Sequence, residues 1–157
     1  VPGAMVQIRR ALKPDGAFLF AIPGANTMQD FKTLFMQAET ESTGGAAARF
    51  HPMIGLQQMA GLMQRAGFAL PVVDEETLTL SYSSALSLLR DIRSMGEGHA
   101  LYGYRPRPIA RKVMRMLESP IDCPLQIIYG IGWSPHSSQQ KPLQRGSGKT
   151  SLTDVLS

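Results

Sequence analysis

The sequence predicts an α/β protein in which helices cover a small β-sheet. Three segments, residues 17–22, 72–82 and 125–133, have the apolar patterns of β-strands, and helical patterns lie before and between them. The order along the chain is helix, strand, two helices, strand, two helices, strand, which is typical of an α/β fold. A length of 157 residues fits one domain with one core.

The first strand follows a helix over residues 5–12, which the Lys13-Pro14-Asp15-Gly16 turn ends. Residues 17–22 contain no polar side chain, so we expect a strand buried on both faces. The next loop ends in Asn26 and Thr27, either of which is a candidate cap for a helix over residues 28–41. The apolar face of that helix comprises Phe31, Leu34, Phe35 and Ala38.

The remaining elements are predicted in the same way. A helix over residues 56–66 ends at Gly67, and two more helices are expected over residues 85–94 and 109–118. Strand 72–82 alternates apolar and polar residues and starts with an acidic stretch, which suits a half-exposed edge strand. The last strand places five apolar residues on one face: Leu125, Ile127, Tyr129, Ile131 and Trp133. The polar residues 137–157 are expected to form a loosely held tail.

Composition limits where the chain functions. It contains one cysteine, Cys123, which excludes an internal disulfide and fits a reducing compartment such as the bacterial cytoplasm. The neighbours of Cys123 offer no activating base, so we expect an inert, buried thiol. No apolar run is long enough for a membrane span, and the first residues lack the layout of a signal peptide.

A basic cluster gives the chain part of its net charge of +4. A solvated helix face is one interpretation, and a docking surface for an acidic partner is another. Nucleic acid is a weak third interpretation, because no pattern of aromatic residues accompanies the charge. The cluster comprises Arg105, Arg107, Arg111, Lys112 and Arg115.

Several kinds of catalytic or cofactor site are missing from the sequence. The three histidines lack a second ligand at metal-binding spacing, and no G-x-S-x-G turn is present for a hydrolase. No G-x-G-x-G loop follows a strand, and no acidic residue ends a following strand to bind a ribose. These residues therefore predict no nucleotide cofactor site and no metal site within the chain.

One resemblance accounts for most of the chain. The residues IRRALKPDG at 8–16, followed by AFLFAI, resemble the helix, turn and fifth strand of class I S-adenosylmethionine (SAM)-dependent methyltransferases. Further segments resemble one subfamily, that of the methyltransferase-like mitochondrial complex I assembly factor and its bacterial relatives. Those relatives are often labelled as malonyl-carrier-protein methyltransferases of biotin synthesis. The segments are QAETE at 37–41, LMQRAGF at 62–68, SMGE at 94–97, QIIYGIGW at 126–133 and QRGS at 144–147.

The resemblance implies a partial Rossmann-like fold in residues 1–136, with a sheet order of 3-2-1-4-5-7-6 in the parent. Residues 17–22, 72–82 and 125–133 would be strands five, six and seven of a small mixed sheet, and residues 84–118 an insertion of two helices. Strands one to four, and with them the glycine-rich SAM loop, are not in this sequence. SAM would therefore be a cofactor of the full-length parent, and we expect none to bind this chain.

The expected function is that of a substrate-side fragment of a SAM-dependent methyltransferase. Two alternatives stay open: part of a complex I assembly factor, acting by protein arginine hydroxylation or as a non-catalytic chaperone, and a non-enzymatic binding module. Because ligands bind at the carboxyl ends of the strands in this fold, the substrate-side candidates are Pro23, Gly24, Asn26 and Thr27. Strand five would lack its usual neighbour, so we expect a homodimer through the exposed sheet edge or face.

Overall fold

A computed structural model describes residues 1–96, 108–141 and 146–148. The helices are α1 (Pro2–Ala11), α2 (Gln29–Thr43), α3 (Leu56–Ala66), α4 (Ala85–Ser94) and α5 (Arg111–Met116), and the strands are β1 (Ala17–Pro23), β2 (Ala69–Tyr82) and β3 (Ile121–Trp133). This order confirms the predicted α/β class. Helix α5 is shorter than predicted, and β3 begins four residues earlier. Arg105, Arg107 and most of the predicted tail lie outside the described residues.

The three strands form one sheet in the order β1-β3-β2. Strand β3 is antiparallel to both neighbours, with Ile131 opposite Leu19 on one side and Val72 on the other. Strands β1 and β2 therefore run in the same direction without touching. This is the arrangement expected for strands five, seven and six, and the two helices α4 and α5 lie between β2 and β3 in the chain.

One face of the sheet, here called the covered face, packs against α1 and α3. Phe18, Phe20 and Ile22 of β1 point to this side, together with Val73 of β2 and Ile128 of β3. Their partners from the helices are Met5, Met59, Met63 and Ala66, all buried. Helix α3 ends where Gly67 adopts a left-handed conformation, φ 82°, which favours glycine, and Phe68 then turns back into the same cluster.

The opposite face is covered over only half its length. Near the start of β3, helices α2, α4 and α5 bury Cys123 beneath Phe31, Phe35, Leu88 and Val113. Toward the other end lies an apolar surface that we call the open patch. It comprises Leu19, Val72, Tyr129 and Ile131, of which Leu19 is 68% and Val72 59% exposed.

One prediction about burial was wrong, and the burial of β3 could not be read from its periodicity. Strand β1 is not buried on both faces: exposed and half-buried residues alternate along it, because α1 and α3 cover only one side. In β3 the periodicity found the apolar face correctly, but Tyr129 and Ile131 on that face point into the open patch. The more deeply buried face is the other one, with Gln126, Ile128, Gly130 and Gly132.

Candidate substrate-side site

The predicted site loop, residues 23–27, leaves β1 at its carboxyl end and is fastened to the beginning of β3. The Gly24 amide donates to the Gln126 carbonyl at 2.8 Å, and the Thr27 hydroxyl donates to the same oxygen at 2.9 Å. Thr27 Oγ1 also accepts from the Gln126 amide at 3.2 Å. At the end of the loop, the Met28 amide donates to the Pro124 carbonyl at 2.7 Å. These hydrogen bonds fix the loop to the beginning of β3, much as hydrogen bonds between strands would.

The side chain of Gln126 connects this loop to the far edge of the sheet. It is 3% exposed, its Oε1 accepts from the Asn26 amide at 2.9 Å, and its Nε2 donates to Glu75 on β2 at 2.8 Å. The side chain also explains why residue 24 is glycine. A Cβ atom at Gly24 would lie 2.3 Å from Gln126 Oε1, so any larger residue would displace Gln126.

The predicted capping of α2 was wrong. Neither Asn26 nor Thr27 caps the helix, because Met28 occupies the N-cap position and makes no side-chain cap. Met28 has a left-handed backbone with φ 55°, which costs a non-glycine residue about 1 kcal/mol or more. The hydrogen bond from its amide to β3 holds it there. The Thr27 hydroxyl is used for the sheet instead of the helix.

The structure places the four candidate residues in three different environments. Pro23 and Thr27 border a cavity of about 820 Å³ between the sheet, α2, α4 and the segment 49–53. Asn26 lies on the exterior of the loop, exposed, and its side chain makes no hydrogen bond within the part of the chain that the structure describes. Gly24 is buried against Gln126, and its lack of a side chain lets the loop approach Gln126 closely.

The walls of this cavity are mainly apolar, with a few polar groups. Arg49 is neutralised by Glu39: its Nη2 lies 2.6 Å and its Nε 2.8 Å from the same carboxylate oxygen. Burial raises the pKa of the Tyr82 hydroxyl, and the negative charge of the nearby Asp91 carboxylate raises that pKa further. The apolar walls include Phe35, Phe50, Leu88, Ile92, Ile109, Leu125 and Ile127.

Lys32 and Cys123 face each other across the same cavity. Burial lowers the pKa of the Lys32 ammonium, and the Cys123 sulfur partly offsets that shift. Burial raises the pKa of the Cys123 thiol, which Lys32 opposes and Asp30 reinforces. A buried thiol of raised pKa is a poor nucleophile, as the sequence predicted.

The residues of the loop do not fit the binding of a nucleotide cofactor. Backbone N–H groups that cradle such ligands must be free, yet the amides of residues 24–28 all donate to protein acceptors. Among residues 1–96, 108–141 and 146–148, no group of three or more histidine, cysteine or acidic side chains is arranged to hold a metal ion. Within those ranges, no helix is long and apolar enough to cross a membrane.

Sequence reasoning located the loop but missed the charged groups of the cavity. Lys32 could have been noticed, because it follows Phe31 and precedes Phe35 by three positions, at the margin of the apolar face of α2. Tyr82 and Asp91 carry no comparable signal. They meet only because the chain turns from β2 into α4 at residues 83–84, where Ser84 caps the helix.

The strand order β1-β3-β2, with helices on both sides of the sheet, is the order expected for strands five, seven and six of a class I methyltransferase. No protein-family model matches the chain. A crystal structure from Bacillus halodurans C-125, provisionally assigned as a methyltransferase, aligns with 86% of this chain and 58% of its own, with a TM-score of 0.45 and 12% identity.

Curated relatives identify the group more closely. The chain is 34% identical to "Arginine-hydroxylase NDUFAF5, mitochondrial" of Dictyostelium discoideum and 31% identical to the human protein of that name, over 99% of its own length. It is 24% identical, over 90% of its length, to "Malonyl-[acyl-carrier protein] O-methyltransferase" of Laribacter hongkongensis. It covers 38%, 48% and 49% of these three proteins. The chain is therefore similar in sequence to proteins of both groups and spans about half the length, or less, of the relatives it matches.

Proposed function

We propose that this chain forms the substrate-side part of a SAM-dependent, methyltransferase-like enzyme. The observation that supports this most strongly is the position of the rigid loop 23–27, at the carboxyl end of β1 and beside the cavity. Ligands of doubly wound α/β folds bind at that end of the strands. In this proposal the exposed Asn26 side chain contacts the substrate from the outer side of the loop, next to the cavity that Pro23 and Thr27 border, while Gly24 and Thr27 hold the loop in place.

SAM would be held by residues that this chain does not contain. The amides of the loop are already occupied, so the loop cannot supply the hydrogen bonds that a cofactor cradle needs. We therefore expect titration calorimetry of residues 1–157 with SAM to show no binding heat. Tight stoichiometric binding would contradict this division of roles.

Arginine hydroxylation of a protein is the second candidate. It is supported by the identities, because the relatives named arginine hydroxylases match at 31–34% and those named methyltransferases at 24–28%. A role as a non-catalytic assembly chaperone or binding module requires neither reaction. A bacterial cytoplasmic location belongs to the first proposal. The human and Dictyostelium relatives carry "mitochondrial" in their names.

One experiment on the full-length parent distinguishes these candidates. The protein is incubated in air with SAM, a two-electron reductant such as ascorbate and candidate protein substrates, and mass spectrometry determines whether a methyl group or an oxygen atom has been added. We expect methylation, with Asn26→Ala lowering kcat/KM by about tenfold or more. Gln37→Ala, an exposed amide on α2, serves as the control and should leave kcat/KM unchanged. Addition of oxygen favours the second candidate, and absence of any product favours a binding module.

The basic cluster remains a proposed docking surface for an acidic partner. Arg111, Lys112 and Arg115 are exposed on α5, as a docking surface or a solvated helix face requires. Replacing all three by glutamine should weaken the association of the full-length parent with an acidic protein substrate and reduce the salt dependence of that association. If the triple variant shows the same salt dependence as the unaltered protein, the cluster is a solvated helix face and not a docking surface.

A further inference from the structure

Lys32 places a positive charge on an otherwise apolar wall of the 820 Å³ cavity. The side chain is half-buried, and its ammonium has the Met53 thioether as hydrogen-bond partner, at 3.8 Å. A thioether is a weak acceptor and carries no charge. In the described part of the chain, no carboxylate lies within 4.0 Å of the ammonium.

Among the other charged groups on the cavity wall, Arg49 forms an ion pair with Glu39. The Asp91 carboxylate lies near Tyr82 and raises the pKa of its hydroxyl. His51 also borders the cavity. Lys32 therefore stands out as a cation without a carboxylate partner next to a large apolar volume. Burial lowers the pKa of Lys32, and an anion placed beside the ammonium would oppose that shift.

We propose that this cavity binds an amphiphile with an apolar body and one carboxylate, and that Lys32 is the counter-ion of the carboxylate. The apolar body would lie against Phe35, Leu88 and Ile127. A phosphate is less suited to the site, because phosphates are usually bound by several donors, and the amides of residues 24–28 are all occupied. This inference concerns binding alone and goes beyond the proposed reaction.

Two eight-carbon probes test the charge requirement directly. Titration calorimetry of the chain at neutral pH compares octanoate with octanol, which shares the apolar body but has no charge. We expect octanoate to bind with a Kd about tenfold or more below that of octanol. Octyl phosphate is the third probe and should bind more weakly than octanoate.

Variants of the lysine then assign the preference to one residue. Lys32→Met should abolish the preference for octanoate, while Lys32→Arg, which keeps the charge, should retain most of it. Lys13→Met removes an exposed charge in the turn before β1 and should change nothing. Circular dichroism verifies that each variant is folded.

Two outcomes overturn the proposal: equal binding of octanoate and octanol to the unaltered chain, or a preference that survives Lys32→Met. Stronger binding of octyl phosphate would overturn the choice of a carboxylate. None of these measurements depends on SAM or on catalysis. A failure here therefore leaves the proposed function standing, and a failure to detect methylation leaves this binding site standing.

Discussion

Both faces of the sheet carry apolar side chains, but the two faces differ in what lies opposite them. On the covered face, α1 and α3 bury Ile128 completely and bring Met63 into contact with the backbone of β3. In the open patch, Leu19 and Val72 remain more than half exposed. Hydrophobicity along a strand therefore predicts that a face is suited to burial, while the length and position of the helices decide whether that face is buried.

Glycines distinguish the two faces better than the apolar residues do. Gly130 and Gly132 both point to the covered face, where an added Cβ would meet Phe20 at 2.2 Å and the Met63 methyl at 2.8 Å. Large side chains from the helices and from β1 fill the space that the glycines leave. The stabilities of single variants should follow this division between the two faces.

Truncation of a buried methionine should have the largest effect. Met63 is 0% exposed between α3 and the sheet, so Met63→Ala should lower the free energy of unfolding by about 2–5 kcal/mol. Leu19→Ala in the open patch is the matched variant and should cost less than about 1 kcal/mol, because the side chain is already exposed to water. Urea denaturation of both variants measures the difference. Equal losses would show that the open patch is buried in solution.

A methyl group added to the covered face should come next. Gly130→Ala forces the Phe20 ring to move and should cost about 1–3 kcal/mol, the range for overpacked cores. Gly3→Ala in α1, where nothing lies within 4 Å, is the control and should be neutral or stabilising. The double variant Gly130→Ala with Phe20→Leu should recover part of the loss. If it does not, the collision with Phe20 is not the cause.

Loss of one hydroxyl should loosen the site loop by a smaller amount. Thr27→Val keeps the shape but removes both hydrogen bonds to the Gln126 backbone, which should cost about 1–3 kcal/mol. Thr33→Val on α2 removes an exposed hydroxyl that bonds within its own helix, and it should be nearly neutral. Hydrogen exchange at the Met28 amide reports the loop directly. Unchanged protection of that amide in Thr27→Val would contradict the role of this hydroxyl.

The sequence predicted the order and kind of every element, because long periodic segments and breakers such as LKPDG depend on local chemistry. It also placed the site loop at the carboxyl end of β1. It did not predict Gln126 as the centre of the loop's hydrogen bonds, since a single polar residue in QIIYGIGW has no periodic signal. Nor did it predict the cavity, whose polar groups come from α2, β2 and α4 and meet only through tertiary packing.

A charge placed in the open patch should change stability least and yet test our proposal that the chain forms a homodimer. Strand β1 pairs with β3 on one side, and within the described residues its other edge is free. Two copies of β1 can pair antiparallel about a two-fold axis, which would join the two open patches into one apolar surface. Leu19→Lys puts a charge at that edge, and because Leu19 is 68% exposed in the single chain, the free energy of unfolding of the monomer should change by less than about 0.5 kcal/mol.

The association itself is measured by sedimentation at micromolar concentration. We expect a dimer for the unaltered chain and a monomer for Leu19→Lys, since an edge lysine opposes strand pairing. Leu34→Lys makes the same exchange at a 48% exposed position on α2 and should leave the dimer intact. If Leu34→Lys also dissociates the dimer, the contact is not at β1. If the unaltered chain sediments as a monomer, the homodimer proposal is wrong. The difference between the two faces then reflects packing within one chain alone.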